Sequence, residues 1–297
     1  MRRLLAALGF MVFGVIAPGL IAPVSPAFAQ EFELPALYGP QGALFPPAAT
    51  AGWGGFYVGG QVGYSGAGAN FANATNDLSS FIVRDSVFEP IVGSFTTLGK
   101  ANSHGTSYGW FGGYNSQWEG ALLGLEVNYN RTALNPEASD SVSLRIANDA
   151  TAPSGHHFFY DPFTVSGSAG FHITDIATVR ARAGWTAGQF MPYTFLGAAV
   201  VRADVTRSAT VSYRRTDVPD PQTPPNPPLT PLPTAFFGPV TQTSTKNGAF
   251  YFGYAAGVGI EICVMPNVFV RGEWEFDDVQ SMHANINSAR TAIGVRF

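Results

Sequence analysis

Residues Phe250–Ile262 read FYFGYAAGVGIEI. Phe250, Phe252, Tyr254, Ala256, Val258, Ile260 and Ile262 occupy every second position. Tyr251, Gly253, Ala255, Gly257, Gly259 and Glu261 stand between them. A period of two marks a strand with two unlike faces. Here the second face is glycine and a carboxylate, set against a continuous apolar wall.

The same alternation recurs along the chain. In GGFYVGGQVGYS, Phe56, Val58, Val62 and Tyr64 oppose Tyr57, Gly59, Gln61, Gly63 and Ser65. In ALLGLEVNYN, Leu123, Leu125, Val127 and Tyr129 oppose Gly124, Glu126, Asn128 and Asn130. ATVRARAGW sets Val179 and Trp185 against Thr178, Arg180, Arg182 and Gly184. VFVRGEWEFDD sets Val268, Val270, Trp274 and Phe276 against Arg271, Glu273, Glu275 and Asp277. The ending SARTAIGVRF places Thr291, Ile293, Val295 and Phe297 opposite Arg290, Ala292, Gly294 and Arg296. YGWFGGYNSQW and PYTFLGAAVVRAD complete eight candidate strands; the latter is apolar on both faces, so its orientation stays open.

The connections alternate in length. Tight links fall at Gln117–Gly120, Ala187–Pro192 and Met265–Asn267. Long ones fall at Gly66–Ser107, Arg131–Pro162, Asp204–Ala249 and, shorter, Val279–Ala289. Short turns on one side and long loops on the other describe a transmembrane barrel with periplasmic turns and outer loops. Asp161–Asp175 also alternates weakly. It either extends the fourth strand above the membrane or adds a hairpin, giving ten strands. Val218–Pro233, VPDPQTPPNPPLTPLP, cannot join a sheet and is expected as extended polyproline-II in a Pro-rich outer loop spanning about residues 204–249.

Composition points the same way. The chain is 46% hydrophobic and 12% charged, about half the usual charged fraction of a soluble domain. Lys100 and Lys246 are its lysines. A net charge of −4 without a basic stripe argues against nucleic-acid binding. Residues 1–29 read as a signal peptide: Arg2 and Arg3, an apolar core, then Ala27-Phe28-Ala29 before the expected cleavage. Its removal takes away two arginines and leaves 14 basic and 20 acidic residues. Residues 30–52 are expected as a flexible periplasmic leader, and 53–297 as the barrel. Beyond the expected signal peptide, no uninterrupted apolar run is long enough for a helical span. An all-β antiparallel barrel in the outer membrane reconciles export and apolarity, because closure pairs every backbone group in lipid.

In that geometry the apolar face, with girdle residues such as Tyr129, Trp185 and Trp274, meets lipid. The inward charges are Glu126, Arg180, Arg182, Glu261, Arg271, Glu273, Glu275 and Arg296. Four acids and four bases in a lumen only wide enough for side chains predict an ion-pair network. A gated narrow pore is the alternative reading of the same residues. Cys263 is expected as a small apolar residue near a strand end.

WGGFYVGGQVGY, ATVRARAGW, PYTFLGAAVV and AIGVRF resemble the small outer-membrane β-barrel proteins of alphaproteobacteria, the opacity-type, porin-like family that includes 25- and 31-kilodalton surface antigens and haemin-binding relatives. The resemblance covers about Gly52–Phe297. It implies an eight-stranded barrel with surface loops and roles in envelope integrity, host interaction, limited porin activity or haem binding. The long Pro-rich loop departs from the shorter family versions.

Three further features bear on function. His156-His157 precede Phe158-Phe159-Tyr160, offering haem ligands beside aromatics; adjacent residues in extended chain point oppositely, so the pair does not share one metal. Ser166, Ser168, His172 and Asp175 carry hydrolase residue types on one strand, without an elbow motif, and the chain is read as non-enzymatic. Phe297 is expected as a lipid-facing girdle residue recognised by the barrel-assembly machinery, with Arg296 turned toward the lumen's acids. Expected partners are outer-membrane lipid, that machinery and ligands of the outer loops.

Overall fold

A computed structural model of the protein describes residues 52–93, 95, 97–220 and 229–297. The expected signal peptide and residues 30–51 of the leader lie outside the described residues. So do residues 221–228 of the Pro-rich segment.

The strands are β1 (Gly55–Ala72), β2 (Thr97–Trp118), β3 (Ala121–Leu134), β4 (Glu137–Ala147), β5 (His156–Trp185), β6 (Phe190–Pro219), β7 (Ala235–Met265), β8 (Val268–Val279) and β9 (Ala284–Arg296). All pairings are antiparallel, and β9 pairs with β1 to close the ring. Nine strands fill eight wall positions. β3 and β4 pair successively with β5. Between them Pro136, which lacks an N–H, interrupts the ladder. Its carbonyl still accepts the Phe171 amide at 3.1 Å.

The register fixes the barrel's shape. One row of facing residues runs Ser65, Ser288, Glu275, Gly257, Phe195, Arg182, Gly124, Asn115 and back to β1 at Gly55. It returns ten residues from its start. Eight strands with that stagger tilt by about 40° and enclose a backbone radius of about 8 Å. Such a lumen holds side chains and little else.

The outward face carries two aromatic levels. Phe56, Tyr114, Trp118, Trp185 and Phe190 stand exposed near the short turns; Tyr64, Tyr108, Trp110, Trp274 and Phe252 stand exposed toward the other end. Leu123, Leu125, Val179, Leu196 and Val258 are exposed on the same face. This is the lipid belt.

The long connections differ from expectation. β6 and β7 consume most of Asp204–Ala249, and β1, β2 and β9 extend into the other predicted loops. Val218 and Pro219 finish β6 opposite His157 and His156, so the Pro-rich stretch begins inside a strand. The missed segments are polar on their outer face, as in Thr206, Ser208, Thr210 and Ser212, which makes extended chain look like loop. Asp161–Asp175 lies within β5 and lengthens the fourth wall position; β4 turns back onto it as a hairpin, giving nine strands and still eight wall positions, not ten. β4 to β7 therefore project as a sheet beyond the lipid belt. The β1–β2 connection, with helices α1 (Asn76–Ile82) and α2 (Glu89–Val92), packs Val83, Phe88 and Val92 onto that sheet's inner face at Phe158, Tyr160, Phe163, Val165 and Val211. Arg207 fixes it in place, donating to the Ala74 carbonyl at 2.9 Å and to Asp77 at 3.1 Å.

PYTFLGAAVVRAD also resolves. Tyr193, Phe195, Ala199 and Val201 are buried inside, while Leu196 is exposed to lipid. The inward rings are admitted by glycines directly opposite them: Tyr193 faces Gly259, Phe195 faces Gly257, Phe269 faces Gly294, and Phe111 faces Gly59. A Cβ at any of these glycines would lie under 3.0 Å from the facing ring. Gly257→Val should lower the unfolding free energy by about 1–3 kcal/mol or more through overpacking, read as loss of heat-modifiable gel migration and an earlier urea midpoint. Gly60→Ala on the lipid face, where the nearest atom to a new Cβ is 4.0 Å away, should fold normally.

Candidate functional site

The lumen is layered. At the end near the short turns, Trp53, Leu122, Met191, Tyr193, Phe195 and Cys263 form an apolar cluster. The charge layer follows. Beyond it, the Gln61 amide donates to Asn128 and Asn130, and the Ser65 hydroxyl bonds those of Ser107 and Ser288. An apolar layer including Phe71, Leu98, Leu134, Ile173 and Ile286 closes the outer end.

Glu126 on β3 is the centre of the charge layer. It accepts from Arg180 Nη2 at 2.5 Å, Arg271 Nη2 at 2.8 Å, Arg182 Nη1 at 3.0 Å and the Tyr57 hydroxyl at 2.7 Å. Glu261 takes Arg182 at 2.5 Å and Arg271 at 2.7 Å. Glu273 takes Arg180 at 2.8 Å and the Tyr193 hydroxyl at 2.6 Å. Glu275 takes Arg180 at 2.5 Å and pairs with Arg290. The side chains of these four glutamates and four arginines are at most 2% exposed. Burying charge is tolerable only when it is paired and hydrogen-bonded, and multiple donors on each carboxylate meet that demand.

The arginines also lie on the rings that the glycines admit. Arg180 sits 4.0 Å from the Phe195 ring centre, Arg182 3.9 Å from Tyr193, and Arg271 3.9 Å from Phe111. From wall to axis the order is glycine, aromatic ring, guanidinium, carboxylate. The ring supplies cation–π attraction on one side while the carboxylate engages the edge.

Seven of the eight predicted inward charges come together in this layer. Arg296 does not. It points inward, as its place in the alternation requires, but below the acids. It donates to the Gly52 carbonyl at 2.8 Å and stacks 4.1 Å from the Trp53 ring. Its strand end carries it past the carboxylates. Two further charged residues join the layer. Arg290 pairs with Glu275, and Asp277 is fully buried beside Glu275. Both positions follow from the two-residue period: Arg290 shares a face with Arg296, and Asp277 with Glu275.

His156 and His157 sit on the projecting part of β5. His156 Nδ1 is 2.7 Å from Asp217, and His157 Nδ1 is 2.7 Å from Asp149. Each ring therefore has its own carboxylate, and the structure does not bring the two to a shared point. Among the described residues no group of three His, Cys, Asp or Glu side chains gathers as a metal site. His172 bonds Asn135, Ser166 bonds Ser141, and Asp175 accepts from Tyr129 at 2.6 Å. The hydrolase residue types are thus engaged separately. Cys263 is buried in the lower apolar cluster.

A closed eight-stranded ring with a lipid belt outside and ion pairs within is a small outer-membrane barrel. The chain belongs to the outer membrane protein beta-barrel domain family, whose model matches residues 42–297. It is a protein of the outer membrane. No curated protein sequence matches it. Among solved structures it is similar to Ail, the attachment invasion locus protein of Yersinia pestis, crystallised with the heparin analogue sucrose octasulfate. Identity is 11%, coverage 82% of this chain and 99% of that one, and the TM-score 0.32. Neisserial surface protein A gives 14% identity, 82% and 97% coverage and a TM-score of 0.31. The translocator domain of the autotransporter NalP from Neisseria meningitidis gives 12%, 82% and 89%, with 0.27.

Glu126→Gln leaves three guanidinium groups short of a counter-charge and should cost about 3–5 kcal/mol, measured by urea unfolding in micelles; exposed Glu137→Gln should change little. At the outer end, the bond from His157 holds Asp149 below its usual 3.8, and Asp149 raises His157 above its usual 6.5. The histidine's contribution fades as pH rises through its raised value, and the aspartate's fades as pH falls through its lowered one. Amide protection in the 148–156 turn, taken relative to intrinsic exchange at each pH, should therefore be greatest from pH 3.8 to 6.5, and His157→Gln should remove that window.

Proposed function

We propose that this protein is a closed barrel that anchors a folded β-platform at the cell surface. One observation carries the reading: the lumen is filled from end to end, with apolar clusters above and below a charge layer whose side chains are at most 2% exposed. A solute would have to separate several charge-assisted hydrogen bonds at once. The projecting halves of β5, β6 and β7, with α1 and α2 packed inside them, supply the surface through which ligands are met. Phe297, exposed to lipid with its amide bonded to the Phe56 carbonyl at 2.9 Å, serves as the contact for the barrel-assembly machinery.

Planar-bilayer recording separates this reading from the narrow pore. The wild type should give no stable conductance. Arg271→Ala with Glu273→Ala should remain silent or give only brief flickers, because the aromatic and apolar layers persist. Steady, ion-selective current from the wild type would overturn the closed-barrel reading in favour of the pore.

A further inference from the structure

The lumen holds one acid more than its ion pairs require. Glu126, Glu261, Glu273 and Glu275 meet Arg180, Arg182, Arg271 and Arg290, four against four. Asp277, two residues beyond Glu275 on β8, is a fifth buried acid. Arg296 does not offset it, because that side chain lies at the other end of the lumen with Gly52 and Trp53.

Asp277 stands where the polar lumen gives way to the outer apolar layer. Its neighbours in register are Ala255 on β7 and Ile286 on β9, and Ile286 belongs to that layer. Among the described residues no N–H or hydroxyl donates to either carboxyl oxygen. Its side-chain hydrogen bond is with Glu275. The charged groups that face it are Glu275 on its own strand, Arg290 on β9 and Arg180 on β5. The polar groups from β1, β2 and β3 are Ser65, Ser107, Asn128 and Asn130, all neutral, and β6 presents only Ala199 and Val201. Both arginines are already engaged: Arg180 reaches one Glu275 oxygen at 2.5 Å, and Arg290 bonds the other. Two ionised carboxylates have no proton to share, so a hydrogen bond between them requires one to be protonated. Carboxyl groups in contact do not both ionise. The two guanidinium groups hold Glu275 as the anion, which leaves the proton to Asp277.

We infer that Asp277 is a proton site: a neutral carboxylic acid at neutral pH that donates to the Glu275 carboxylate and locks the outer halves of β8 and β9 together. The proton leaves the layer with four charges of each sign, and it gives Glu275 a third donor beside Arg180 and Arg290. Losing it would set a bare carboxylate against Glu275 and beneath Ile286, with both facing arginines committed elsewhere. A buried charge without a partner is costly. Water must then enter the outer end of the lumen, or Arg290 must leave Glu275, and either event loosens the β8–β9 pairing. The device is an alkaline release, set inside the wall and independent of what the surface platform binds.

Infrared spectroscopy of the refolded protein in micelles tests it. At about pH 7.5, well above the usual carboxyl range, the wild type should show the carbonyl stretch of a protonated carboxylic acid. Carboxyl-labelled aspartate should shift that band, and Asp277→Asn, whose amide replaces the proton as donor to Glu275, should lack it. Urea unfolding gives the energetic reading. The unfolded chain releases this proton above about pH 4 while the folded one keeps it, so stability falls as pH rises. The unfolding constant of the wild type, taken relative to Asp277→Asn, should rise about tenfold per pH unit between about pH 6 and pH 8; the comparison cancels the histidines. Exchanging sodium for a bulky organic cation at constant ionic strength should change neither result. Stability that follows sodium instead of pH would assign the site to a metal cation and overturn the proton. The absence of an acid carbonyl band sensitive to aspartate labelling, or parallel pH dependence of the two proteins, would overturn it as well. The labelled wild-type spectrum decides the matter even if the variant fails to refold.

Discussion

Everything in this barrel is arranged around the meeting of Glu126 with Arg180, Arg182 and Arg271. Eight strands staggered by ten residues leave a lumen too narrow for bulk water and too wide for glycine alone. Its contents must therefore be side chains that satisfy one another. A single carboxylate on β3 receives two guanidinium groups from its neighbour β5 and one from β8, and so ties that pair of strands to a wall across the lumen. The cross-lumen bonds of Glu261, Glu273 and Glu275 extend that linkage. What a soluble domain does with an apolar core, this molecule does with a polar one, because its apolar surface is committed to lipid.

The glycine-rich faces make this possible. A ring laid flat over a glycine on the next strand occupies space that a Cβ would fill, and it presents its π face to an arginine. The abundance of glycine on the inner faces is thus a packing requirement as much as a backbone one. Phe195 and Tyr193 illustrate it: both are large, both point inward, and both lie against glycines of β7.

Much of this was legible in the sequence. The two-residue period placed Glu126, Arg180, Arg182, Glu261, Arg271, Glu273 and Glu275 on one face, and a narrow lumen then forces them together. Arg296 shows the limit. Alternation gives the face of a residue but not its height, and height depends on a register that only the closed ring defines. The inward direction of Phe195 and Tyr193 was hidden because their strand is apolar on both sides. The long upper strands escaped notice for the opposite reason: Ser and Thr on the outside of β5, β6 and β7 blur the contrast on which period detection depends. The helices between β1 and β2 carry no strong signal of their own and are held by Phe88 and Arg207 against a sheet distant in sequence.

The contact of Arg296 with Gly52 and Trp53 has a consequence for how the ring shuts. It joins the strand that closes the barrel to the segment that opens it, across the seam between β9 and β1. Slipping that seam by a single residue would turn Arg290 out into hydrocarbon, where a cation near the bilayer midplane costs about 2–4 kcal/mol, and would pull Arg296 off Gly52 and Trp53. The clasp is therefore a check on alignment: it fastens only when the first and last strands have met in the one correct phase.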